Sequence, residues 1–125
     1  MTFDRKFLLC AFAYAVLGMS LGVYMGASKN HVQFVTHAHI LLVGFVVSFI
    51  YALVHKLWLA GVPSALASTQ FYLHQLAALV MLTGLFLLFG GFVPEATIGP
   101  ILGMSSIGVL AAALLMLWMI LKSRA

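Results

Sequence analysis

Residues 4–29 read DRKFLLCAFAYAVLGMSLGVYMGASK: three charges, then no ionic side chain from Phe7 to Ser28, then Lys29. An uncharged, mainly apolar run of this length matches the roughly 20 residues with which a helix crosses a hydrocarbon core of about 30 Å. Beyond Lys29 the only ionic residues are Lys56, Glu95, Lys122 and Arg124, so uncharged gaps also run over 30–55, 57–94 and 96–121. Four such gaps in 125 residues, 65% of them hydrophobic and 6% charged, predict an all-α integral membrane protein. It is read as a single domain over 1–125, four transmembrane helices in an up-down bundle at about 7–27, 32–59, 65–90 and 98–121.

Other classes fail on the same residues. A soluble domain carries about 25% charged residues. A membrane barrel alternates polarity with period two, whereas Ile40–Phe45 and Val109–Leu117 are apolar on every side. The first run is longer than the roughly 7–15 apolar residues of a secretory signal, so it reads as a span. Gly61 and Pro63 mark the second connection, with Ser64 the expected N-cap of the third helix; Gly90, Gly91 and Pro94 mark the third connection. The single Cys10 permits no intramolecular disulfide.

Charge sets the orientation. With a cytoplasmic N-terminus, Arg5, Lys6, Lys56, Lys122 and Arg124 share one side and only Lys29 lies opposite, near Glu95. Both termini are therefore expected in the cytoplasm, with the chain in a bacterial inner membrane. The six basic residues form no patch, so no nucleic-acid partner is expected. Asp4 and Glu95 are the only carboxylates and both sit at span edges. No acid/base pair or nucleophile constellation can be built from them, so the chain is not expected to be an enzyme on its own.

Chemistry then rests on five histidines, because an ionisable residue inside a span marks a functional site by default. His31 and His55 fall at the interfaces, where water can satisfy them. His37, His39 and His74 fall within spans. Residues two apart on a helix differ by about 200°, so His37 and His39 point apart. His37 shares a face with Leu41, Gly44, Ser48, Tyr51 and His55, small and polar, and reads as the interior histidine. His39 continues through Val43, Val46, Ile50 and Leu53, a face suited to lipid, a subunit or a cofactor plane. Matching levels across the tight hairpins sets Gly22 opposite His37, where Gly18, Gly22 and Gly26 form a small-xxx-small ridge. By the same rule His74 lies level with Ile50, about 20 Å deeper at 1.5 Å per residue, so His37 and His74 cannot share a metal. A neutral imidazole beside a glycine-walled apolar gap suits haem iron. No Cys-x-x-Cys-His occurs, so the haem would be noncovalent, of b type.

The stretch Phe34-Val35-Thr36-His37-Ala38-His39-Ile40-Leu41-Leu42-Val43-Gly44-Phe45 resembles the second helix of haem-copper oxidase and nitric oxide reductase catalytic subunits. The resemblance extends over about residues 3–57, with Arg5, the glycine-bearing first helix and Tyr51. It implies that His37 is an axial haem ligand, with His39 next if the register slips by two, and that the haem lies in the outer half of the membrane. Those subunits have about three times as many helices and further histidines for an active-site metal cluster, which this chain lacks. The resemblance therefore implies an electron carrier or diatomic-gas binder of cytochrome b type rather than a reductase.

Met19 and Met104 fall near the level of Ile40 and are candidates for a sixth ligand. A homodimer, or a higher homo-oligomer, about an axis along the membrane normal would instead bring His37 or His39 from two protomers to one haem. His74, with Gln70 one turn before it and Gln75 beside it, reads as a separate polar site, with Tyr51 in reach and a quinone or a proton as its ligand. Two alternatives remain: an accessory or assembly subunit of a larger respiratory complex, its histidines serving as interhelical glue, and a copper-handling membrane protein using His37, His39 and the methionines.

Overall fold

The computed structural model describes residues 1–123; Arg124, counted among the inner charges, and Ala125 lie outside it. The described chain is all helical, with four helices long and apolar enough to cross a membrane, making this a multi-pass membrane protein. They are α1 (Phe3–Ser28), α2 (Phe34–Trp58), α3 (Ser64–Phe89) and α4 (Glu95–Lys122). α1 begins four residues before the expected Phe7, so Asp4, Arg5 and Lys6 lie inside its first turns, with Asp4 favourably placed at the positive end of the helix dipole. It ends at Lys29, whose φ of 60° is left-handed and stops the helix. Ser64 is not an N-cap. Pro63 holds that position with no side-chain bond, and its carbonyl accepts from the Leu66 and Ala67 amides.

α2 is interrupted. Its ends, Phe34–His39 and Val47–Trp58, are α-helical, but Ile40–Val46 is π-helical, with carbonyls bonded five residues on instead of four. The wider turn changes which residues face inward. From Gly44 on, the buried side runs Gly44, Ser48, Tyr51 and His55, as expected; from Ile40 back, it is Ile40, Thr36 and Gln33, with His37 and Leu41 only half-buried. Extending the lower stripe to His37 assumed a constant 100° per residue, and the π segment breaks that assumption. On the other face Val46, Ile50 and Leu53 are exposed.

The bundle is two hairpins. α1 runs close against α2, and α3 against α4; α4 packs chiefly on α3. Glycines permit both approaches. A Cβ at Gly44 would lie 2.6 Å from the Tyr14 ring, and one at Gly108 2.8 Å from Ala77. The seam between the hairpins is filled by large side chains. Phe7, Tyr51, Phe71, Met116 and Met119 form one core cluster toward the termini, and Tyr14, Ile40 and Leu82 form another further out.

Polar links cross the same seam, where the low dielectric penalises any group left unpaired. Tyr14 donates its hydroxyl proton to Gln75 Oε1 at 2.9 Å, and Gln75 Nε2 donates to Ser48 Oγ at 3.1 Å. Nearer the other end, Thr36 donates to Gln33 Oε1 at 2.6 Å while Gln33 Nε2 donates to the Phe86 carbonyl at 3.0 Å. Gln70 Nε2 ties α3 to the Ala112 carbonyl of α4 at 3.3 Å.

Candidate functional site

His37 sits on the first turns of α2, half-buried against α1. Its Nδ1 lies 2.8 Å from the Gly18 carbonyl. A carbonyl only accepts, so Nδ1 carries the proton and Nε2 the lone pair, the tautomer that a ligating histidine adopts when a backbone oxygen orients it. Nε2 bonds to nothing among the described residues and is not among the enclosed unpartnered atoms, so it keeps accessible surface. The ring lies across Gly22, where a Cβ would be 2.8 Å from His37 Cε1 and 3.5 Å from Nε2. The level-matching of Gly22 with His37 therefore holds.

The glycine ridge, however, is not an open slot. At Gly18 a Cβ would lie 2.7 Å from Leu41 Cδ2 and 3.0 Å from Ile40 Cγ2, and at Gly22 it would meet the His37 ring itself; only Gly26 faces open space. The side chains of α2 fill the groove that the sequence reading offered to a porphyrin. At Gly18 and Gly22 this leaves no space for a haem between α1 and α2.

The other expected ligands are scattered. His39, also half-buried, places Nδ1 2.9 Å from the Val35 carbonyl one turn back, which fixes the same tautomer on a different face. Met19 is 54% exposed on α1, and Met104 is 73% exposed on α4, the helix that packs chiefly on α3. Met104 is thus not brought to His37. No group of three or more His, Cys, Asp or Glu side chains that could hold a metal ion occurs among the described residues. His31 is exposed at the span edge.

His74 is fully enclosed, on the terminal side of the Tyr14–Gln75–Ser48 links. Its Nε2–H donates to the Val43 carbonyl at 3.2 Å, inside the π segment. There the irregular ladder makes a carbonyl available to another helix. Gln70 and Gln75, read with this ring as one polar site, make their amide bonds to Ala112, Tyr14 and Ser48. Tyr51 meets the His74 ring edge-on at 5.2 Å, as its position suggested, whereas Tyr72 is 50% exposed and packs on Phe71 at 5.1 Å. The His74 ring exposes no surface in this structure. His55 departs from its reading as a wetted interface residue. It is buried, stacked on Phe7 at 5.4 Å, with Nε2 turned inward.

Sequence reasoning missed Thr36 and Gln33, which close the outer end of the seam, and the carbonyl role of Val43. No residue type announces the latter; it follows from the π turn. Comparison with models of known families, with curated proteins and with solved structures finds no match to this chain.

Proposed function

We propose that the chain is a small b-type haem subunit of a bacterial inner membrane, with both termini cytoplasmic, that presents His37 as an axial ligand at a contact between subunits. The supporting observation is the His37 ring: Nδ1–H held by the Gly18 carbonyl, Nε2 unpartnered and accessible. Because α2 fills its own groove on α1, the porphyrin would lie outside this hairpin, against a second copy or a larger partner. The outer face offers apolar surface for it, with Met19 54%, Val23 73% and Phe34 64% exposed. A haem held there would supply one-electron exchange, or gas binding where its second axial position stays open. The protein's own part is to fix the imidazole tautomer through Gly18 and to exclude water with apolar side chains.

Absorption spectra of detergent-purified protein test this. The expected result is a Soret band that shifts on dithionite reduction and is lost in His37→Ala while helicity by circular dichroism is unchanged. A colourless protein, or a spectrum indifferent to His37→Ala, overturns it. The buried bonds of Gln33, Gln70, Gln75 and His74 to other helices favour a second reading, an accessory subunit whose polar residues only join helices. A colourless chain that co-purifies with larger oxidase subunits supports that instead.

A further inference from the structure

Toward the end of the bundle that carries the termini, three enclosed side-chain atoms have no hydrogen-bond partner: His55 Nε2, Gln70 Oε1 and His74 Nδ1. They are neighbours. Gln70 and His74 stand one turn apart on α3, the Gln70 side chain lies beside His55, and both imidazoles pack on the Phe7 ring, at 5.4 and 6.5 Å between centroids. Buried polar atoms in folded proteins are almost always satisfied, by protein or by ordered water. Here the protein leaves three free on neighbouring residues, and a cleft reaches the residue that carries the first. A cleft of about 370 Å³ enters from the terminal end between Thr2, Asp4, Ser64 and Ala67, and His55 forms part of its wall.

We propose that water from this cleft runs past His55 and Gln70 to His74, making His74 a proton-exchange site inside the membrane, in contact with the aqueous phase on the terminal side. The Val43 carbonyl fixes the His74 proton on Nε2, so Nδ1 is the free base and is itself one of the three unpartnered atoms. A proton arriving from water binds Nδ1, giving an imidazolium that keeps its Nε2–H bond to Val43, and it leaves by the same nitrogen. The titratable neighbours are the Met1 amine at the cleft, Asp4, Lys6 and Cys10 of α1, and Tyr51, His55 and Lys56 of α2. α4 brings the Ala112 carbonyl, Met116 and Met119, none of them titratable. The route ends at His74. Beyond it the links run through the Gln75 amide, bonded to Tyr14 and Ser48, and an amide held at both ends passes no proton onward. The path is a dead end, not a channel, and it requires no haem.

Water-edited solid-state NMR of full-length protein in bilayers, with isotope-labelled histidine and alanine, tests it. Exposed His31 is the wet control and fully enclosed Ala78 the dry one. Magnetisation from water is expected to reach the His55 and His74 rings as it reaches His31. In Gln70→Leu the His74 signal is expected to be lost while that of His55 persists. A His74 ring as dry as Ala78 in the unaltered protein overturns the proposal, whether or not the variant folds, and so does a His74 signal unchanged in Gln70→Leu. Vesicles carrying the protein are expected to hold an imposed pH gradient, and its collapse through the protein would overturn the dead end.

Discussion

Gly22→Ala is the sharpest perturbation the structure offers. The added methyl would stand 2.8 Å from His37 Cε1, a distance real contacts do not reach, so the imidazole must move or the helices must part. Forcing a methyl into a packed site costs about 1–3 kcal/mol. Loss of the His37–Gly18 bond adds roughly 0.6 kcal/mol, the mean for hydrogen bonds between membrane helices. Gly26→Ala, with nothing within 4 Å, is the control on the same ridge and is expected to stay within about 0.5 kcal/mol. The assay is a double-mutant cycle, with stability measured by steric trapping or SDS titration in bicelles. In a His37→Ala background the methyl has no ring to strike, so most of the Gly22→Ala penalty is expected to vanish, a coupling of at least about 1 kcal/mol. Additive effects of the two substitutions, or a Gly22→Ala as harmless as Gly26→Ala, would refute the placement of His37 and the functional reading with it.

Gln75→Leu leaves both the Tyr14 hydroxyl and Ser48 without a partner and is expected to cost about 1–3 kcal/mol by the same titration. Tyr14→Phe removes one bond and is expected to cost roughly 0.6 kcal/mol; the reverse order would remove Gln75 as the hub of the seam. Gly44→Ala drives a methyl against the Tyr14 ring at 2.6 Å and is expected to cost about 1–3 kcal/mol, whereas Gly61→Ala, in open space, is expected to change nothing measurable. In His74→Leu, isotope-edited infrared of a carbonyl-labelled Val43 is expected to show the amide band moving to higher frequency as its hydrogen bond is lost.

The gaps between Lys6, Lys29, Lys56, Glu95 and Lys122 were enough to place four spans, because charge is excluded from hydrocarbon whatever the packing. The first hairpin was legible to the residue. Counting back from its short turn pairs Gly22 with His37, and these two touch. The pairing of α2 with α3 was legible too. The same counting sets His74 beside Ile50, and its ring meets Tyr51, the next residue, while Gln75 bonds Ser48; what counting did not show is that the ring's Nε2 reaches on to the Val43 carbonyl in the π segment. Nothing in Ile40–Val46 distinguishes it from α-helix by composition, so the stripe through Ser48 and Tyr51 was carried on to His37 as if α2 were unbroken. The glycine ridge was read correctly as a site of close approach, but its occupant was the partner helix. Spacing shows that room exists, not what fills it.

The pairing of the helices has a consequence for biogenesis. Within each hairpin backbones run side by side, whereas the two hairpins meet through bulky rings and a few amide and hydroxyl bonds. Hydrocarbon tails give no push toward association once helices are inserted. A pair that left the insertion machinery already closed would have only lateral docking to complete, with Tyr14, Ser48 and Gln75 matched in the plane of the lipid.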